Sequence, residues 1–179
     1  MSSKPIRLTG TSYAVLALFD QCGGEATSYD LKQALDTSIQ NFWPVPHTTA
    51  YEEPARLAKA GYLTARQEEG GRRKRVYALT EAGREALREW AADPSASAPQ
   101  LKEEAVLKVF AGGDPGPLLA SRIAWHRGKL EEFGEYLDAV RGVEGMEGQE
   151  RALTVGTGYH QKMIELLESL AAEVARAEG

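Results

Sequence analysis

The sequence predicts a mainly α chain in two modules, and three observations carry that reading. Apolar residues recur at helical spacing over most of its 179 residues, two short strand-like runs joined by glycines stand between residues 62 and 79, and two long heptad seams fill the second half. Between the halves, Asp93-Pro94-Ser95-Ala96-Ser97-Ala98-Pro99 reads as a boundary. The expected division is therefore 1–92, a linker at 93–100, and 101–179.

Beyond a short arm carrying Lys4 and Arg7, the residues Val15, Leu18, Phe19 and Cys22 fall at i, i+3, i+4 and i+7, and Gly23-Gly24 stops the run. This is a first amphipathic helix with Cys22 on its apolar face, a setting that argues against a redox-sensing thiol. Ser28 can cap a second helix with Leu31, Ala34 and Leu35 inward, ending before Asn41-Phe42-Trp43-Pro44. A third begins near Thr48 or Thr49, where Thr49 and Glu52 have capping-box spacing, and ends at Gly61. Ala50, Pro54 and Leu57 share one face of it, leaving Thr48, Thr49, Glu52, Arg56 and Lys59 outward. A proline inside a helix costs about 3 kcal/mol, so either this helix starts late, with Pro54 in its first turn, or it bends there.

The strand-like runs Tyr62–Gln67 and Arg72–Leu79 flank Glu68-Glu69-Gly70-Gly71, whose glycines supply the positive φ of a tight hairpin. Its tip carries Arg72, Arg73, Lys74 and Arg75, and Thr80-Glu81-Ala82-Gly83-Arg84 then opens a fourth helix with Leu87 and Trp90. Trp43 and Trp90 are expected in the core of this module. Three helices, a basic hairpin and a linking helix are the order of a winged helix-turn-helix. In that frame the basic tip binds phosphates by releasing their condensed counterions, and the third helix is the recognition helix. Thr48 and Thr49 lie where a helix N-terminus attracts anions. His47 and Tyr51 are candidates for base or phosphate contact, with simple exposure or packing as the alternatives. Glu52 either accepts from a cytosine amino group or is an exposed charge, and the second reading is favoured because most DNA contacts carry no sequence information.

In the second module a short apolar segment, Ala105–Phe110, precedes a turn where Asp114 can cap and Pro115 fits the first helical position. Leu119, Ile123, His126, Leu130, Phe133, Leu137 and Val140 form one heptad seam; Leu153, Gly156, His160, Met163, Leu167, Leu170 and Val174 form the other. The glycine-rich turn between Gly142 and Gly148 folds them into an antiparallel hairpin that sets Phe133 near Gly156 and His126 near Met163. His126 and His160 should then lie about a turn apart with no third ligand, so no metal site is expected. Trp125, Tyr136, Leu118 and Leu166 lie beside the seam and need another partner, most economically a second copy of the chain. Trp125, with His126, is also a candidate wall for a planar or aromatic effector, although packing is the commoner use of such a tryptophan.

Composition narrows the function. The single cysteine excludes an intrachain disulfide, no stretch resembles a signal peptide, and no apolar run reaches the ~20 residues that span a bilayer, which points to a cytoplasmic protein without a membrane role. Net charge is −5, but residues 1–92 hold 12 Lys+Arg against 11 Asp+Glu while residues 93–179 hold 9 against 15. The acid lies in the back half. A phosphate loop, a metal-ligand cluster and a nucleophile with a partnered base are all missing, so neither an enzyme nor a cofactor is expected.

Four segments in order resemble the PadR family of bacterial transcriptional regulators: Leu8–Leu16, Asn41-Phe42-Trp43-Pro44, Arg56–Leu63 and Val76–Arg84. The C-terminal hairpin is similar to the longer, vinculin-like form of that family's dimerisation domain. The resemblance implies a ligand-responsive homodimer, most often a repressor, acting on a palindromic double-stranded DNA operator. The chain departs from the family pattern at Pro54, which stands where leucine commonly follows the acidic residue of the recognition helix. The rival reading is a winged-helix adaptor that binds protein through the acidic Glu52-Glu53 face and binds no DNA.

Overall fold

The computed structural model describes residues 6–67, 74–99 and 102–178, and it divides the chain into two compact units, Met1–Ser97 and Ala98–Gly179. The first contains α1 (Gly10–Gln21), β1 (Glu25–Thr27), α2 (Ser28–Thr37), a 3₁₀ turn (Ile39–Asn41), α3 (Thr49–Lys59), β2 (Leu63–Gln67), β3 (Arg75–Leu79) and α4 (Glu81–Ala92). Three helices, a hairpin and a closing helix make this a winged helix. The expected hairpin turn and Arg72 and Arg73 lie outside the described residues.

Its core is the set of apolar positions that share helical or strand faces: Val15, Leu16, Leu18 and Phe19 of α1, Leu31 and Leu35 of α2, Ala50 and Leu57 of α3, and Leu63, Tyr77 and Leu79 of the sheet. The sheet has three antiparallel strands in the order β1-β3-β2, with Glu25 opposite Ala78 and Leu63 opposite Leu79. β1 was not expected. Three residues are too few for a period, and the strand exists because β3 offers it a pairing edge.

The helix ends show where local chemistry overrides spacing. Thr9 and Ser12 exchange bonds at the start of α1, where Thr9 N–H donates to Ser12 Oγ at 2.8 Å. The N-cap of α2 is Thr27, not Ser28, because Thr27 keeps the extended backbone of β1 and its hydroxyl accepts from Asp30 N–H. Asp30 accepts from Thr27 in return, and those hydrogen bonds hold its carboxyl below the usual range. Cys22 is exposed rather than on the apolar face, since α1 ends one residue earlier and Gly23 and Gly24 turn the chain at positive φ. Partial burial and nearby Asp30 push its thiol pKa up, which keeps it protonated.

The two tryptophans of this unit are also more open than expected. Trp43 lies across Gly10 yet is 45% exposed, and Trp90 stacks on Tyr13 at a centroid distance of 4.7 Å while 48% exposed. Both seal the edge of the core instead of filling it.

The second unit comprises α5 (Glu104–Phe110), α6 (Pro115–Val140) and α7 (Glu147–Glu178). Asp114 caps α6 by accepting from Gly116 N–H at 3.0 Å, with Pro115 at the first helical position where its missing N–H costs nothing. Gly142 and Gly145 take positive φ in the turn before α7. Phe133 occupies the notch at Gly156, where any Cβ would come within 2.4 Å of the ring. The cross-pairs Arg127 with Glu168, His126 with His160 and Phe133 with Gly156 set the two long helices antiparallel. No helix among the described residues is long and apolar enough to cross a membrane.

Candidate nucleic-acid interface

Helix α3 buries Ala50, Pro54 and Leu57 against the core and turns another face outward. On that face Thr48, Tyr51, Glu52 and Lys59 are exposed, Tyr51 at 52%, and Thr49 and Ala55 are half-buried. The expected capping box between Thr49 and Glu52 does not form. The N-cap is Thr48, which adopts helical angles and makes no side-chain capping bond. The first helical N–H groups are instead taken by the carbonyls of a turn at Pro46, His47 and Thr48. The helix N-terminus therefore offers fewer open donors to a phosphate than the spacing implied.

Pro54 lies well inside α3, so the late-start reading falls. Its ring is fully buried in the core face. Around it, Glu53 and Arg56 make a bidentate pair: Arg56 Nε donates to Glu53 Oε2 at 2.8 Å and Nη2 to Oε1 at 2.6 Å. Nη2 also donates to Ser12 Oγ at 2.7 Å, and Ser12 is completely buried at the start of α1. Arg56 was expected outward. It turns inward because a charge-assisted fork satisfies it better than water would.

Burial raises the Glu53 pKa, but hydrogen bonds from Arg56 and Ser12, with the Arg56 charge, outweigh that and hold its carboxyl below the ordinary value. Of the acidic pair, only Glu52 thus presents an uncompensated charge outward. His47 is exposed with Nδ1 3.5 Å from Asp36, which also pairs with Lys32 at 2.7 Å. At the hairpin, Lys74 and Arg75 are exposed, while Arg66 is committed to Glu25. The described residues thus bring together Thr48, Tyr51 and Glu52 on one helix face and Lys74 and Arg75 at the base of the wing.

In the helical unit, His126 and Trp125 part company. Trp125 is 44% exposed, with the Arg122 guanidinium carbon 4.1 Å from its ring centroid and Arg122 held by Glu103 at 2.5 Å. His126 is 1% exposed, and its Nδ1 lies 2.7 Å from Nδ1 of His160, so it is not open to an effector. The expected one-turn separation of the histidines is overturned. In antiparallel helix packing a knob enters a hole between neighbours, so His126 reaches His160 as readily as Met163. No group of three metal-ligating side chains occurs among the described residues.

The fold agrees with comparisons to known proteins. Residues 15–89 match the transcriptional regulator PadR-like family. Over 176 residues the chain is 24% identical to the negative transcriptional regulator PadR of Bacillus subtilis, covering 90% of this chain and 96% of that one. The crystal structure of B. subtilis PadR in complex with operator DNA superposes with a TM-score of 0.79 at 21% identity, covering 94% of this chain and 99% of that chain. The structure of the same protein in complex with p-coumaric acid superposes with a TM-score of 0.73 at 20% identity, with coverages of 94% and 99%.

Proposed function

We propose that the protein, whose residues 15–89 match the PadR-like family of transcriptional regulators, is a ligand-responsive repressor that binds a palindromic operator as a homodimer in the cytoplasm. The observation that carries the reading is the outward face of α3 beside the basic base of the wing. The resemblance to a regulator crystallised on operator DNA supports it. In this reading the two α3 helices enter successive major grooves about 34 Å apart. Thr48, Tyr51 and Glu52 meet the groove while Arg72, Arg73, Lys74 and Arg75 clamp the flanking backbone. The adaptor reading loses one of its two acidic groups, because Glu53 is paired with Arg56 within the fold while Glu52 stays exposed.

Residues 101–179 join the two copies. The support for this is their exposed apolar side chains, among them Phe110 at 88%, Val155 at 73% and Leu166 at 61%, which a second copy would cover. A planar or aromatic effector is supported by the likeness to a regulator crystallised with p-coumaric acid. Within this chain the half-exposed Trp125, with Arg122 over its ring, is the candidate contact for such a molecule, and the buried His126 is not. Binding of the effector would favour a dimer whose α3 helices no longer match the groove spacing.

The deciding experiment compares a fragment of the protein's own upstream promoter with a scrambled fragment by fluorescence anisotropy at ~150 mM salt, where non-specific attachment is weak. A preference of about a hundredfold, roughly 2.7 kcal/mol, is expected. Equal weak binding to this and to a panel of genomic promoter fragments would sink the repressor reading. In the same assay, the double substitution Arg73→Ala and Lys74→Ala should reduce the slope of log K against log salt by nearly two, one counterion for each lost phosphate contact. An unchanged slope would remove the wing from the interface.

A further inference from the structure

The placement of Glu53 is odd for a helix that faces DNA, and the break at Pro54 explains what it does. Pro54 has no N–H, so the carbonyl of Ala50 loses its usual partner and α3 loses one internal tie in its middle. Glu53 and Arg56 stand on either side of that break and close it with two short hydrogen bonds, at 2.6 and 2.8 Å. The same guanidinium reaches 44 residues back along the chain to buried Ser12, which the Thr9 capping box holds in place. A second, longer bond from Nη1 reaches the Arg7 carbonyl at 3.5 Å. Arg56 therefore ties the C-terminal half of α3 to the first turn of α1.

We propose that Glu53, Arg56 and Ser12 form a positioning clamp that sets the angle of α3 across the proline break, so that recognition of DNA depends on a glutamate that touches none. This rests on the DNA-binding reading above. Arg56 is a positioning residue, and it acts through α1 rather than through a phosphate. The clamp also gives the Pro54 departure a consequence: a helix without the proline could hold its own axis, whereas this one borrows rigidity from α1.

The test exploits charge. Glu53→Gln removes a negative charge from a DNA-facing helix, so electrostatics alone would tighten binding, whereas loss of the clamp weakens it. Glu53→Gln and Arg56→Ala should each lower affinity for the promoter fragment about tenfold, with the salt slope unchanged, and Arg56→Lys should fail to restore it because an ammonium cannot fork. Tighter or equal binding by Glu53→Gln, or a slope lowered by about one in Arg56→Ala, would overturn the clamp in favour of a direct phosphate contact. Hydrogen exchange of the α3 amides in the free protein supplies a readout that needs no DNA. Faster exchange in α3 of Glu53→Gln, with α1 and the sheet still protected, is expected, and unchanged exchange would overturn the clamp. If the wild-type protein fails to prefer its promoter while α3 exchange rises, the repressor reading has failed and the clamp stands.

Discussion

Replacing Gly83 with alanine should destabilise the winged unit by roughly 3 kcal/mol, although alanine is the better helix former by about 1 kcal/mol. Gly83 sits in the first turn of α4, where Thr80 Oγ1 accepts from its N–H at 3.1 Å. That hydroxyl donates in turn towards the carbonyls of Gly61 and Tyr62, at 2.8 and 2.9 Å, and Thr80 N–H donates to Tyr62 at 3.1 Å. The helix start is thus bonded directly to the chain entering β2. A Cβ at residue 83 would come to 2.3 Å from the Tyr62 carbonyl oxygen and 2.8 Å from Leu79 Cδ1. The first obstacle is backbone and cannot swing away. Relief requires moving α4 off the strand, which stretches the Thr80 bonds, each worth about 1 kcal/mol, on top of an overpacking cost of about 1–3 kcal/mol. Thermal unfolding should show a fall of more than about 10 °C. A midpoint equal to or above wild type would mean that the carbonyl yields and that this close approach does not hold the wing.

That glycine belongs to a segment, Val76–Arg84, that was readable in the sequence, while its reason was not. Period and punctuation were enough for the long elements: the seams of α6 and α7, the glycine stop after α1, and the Asp114-Pro115 start of α6 all follow from short-range chemistry. What escaped depends on partners far along the chain. β1 exists through β3, some 50 residues away in the sequence. Arg56 looked like an outward base because its spacing placed it off the core face, and only the approach of Ser12 from α1 turns it inward. The i, i+3 spacing of Glu53 and Arg56 was a visible signal that the two could pair. The histidines failed on register: a heptad assigns each a seam, but a shift of less than one turn decides whether they touch.

That contact makes the second unit sensitive to acid. The two Nδ1 atoms are 2.7 Å apart, so one ring must donate and the other accept, and a proton on both would set N–H against N–H. Burial, then the neighbouring charges of His126, Lys129 and Arg122, push the His160 pKa down to about 4 against a weaker opposing pull from Glu132. His126 is lowered in the same way by burial and Arg122, with Glu103 opposing. Because the folded state binds the proton less readily than the unfolded one, the stabilisation is complete above the ordinary pKa of 6.5 and is lost as pH falls towards 4. The two rings titrate as a pair, and their protonation costs on the order of 2–3 kcal/mol over that window. Chemical unfolding followed by tryptophan fluorescence in a Trp43→Phe, Trp90→Phe background, which leaves Trp125 as the reporter of this unit, should therefore show a midpoint that drops between pH 7.5 and pH 5. His160→Gln supplies the control: it keeps a hydrogen-bonding group at the position but cannot titrate, so most of the drop should vanish. The carboxylates elsewhere in the unit contribute equally to both proteins and cancel in the comparison. An identical pH dependence in wild type and variant would show that the imidazole pair is protonated without consequence, and the buried contact would then have no part in holding α6 to α7.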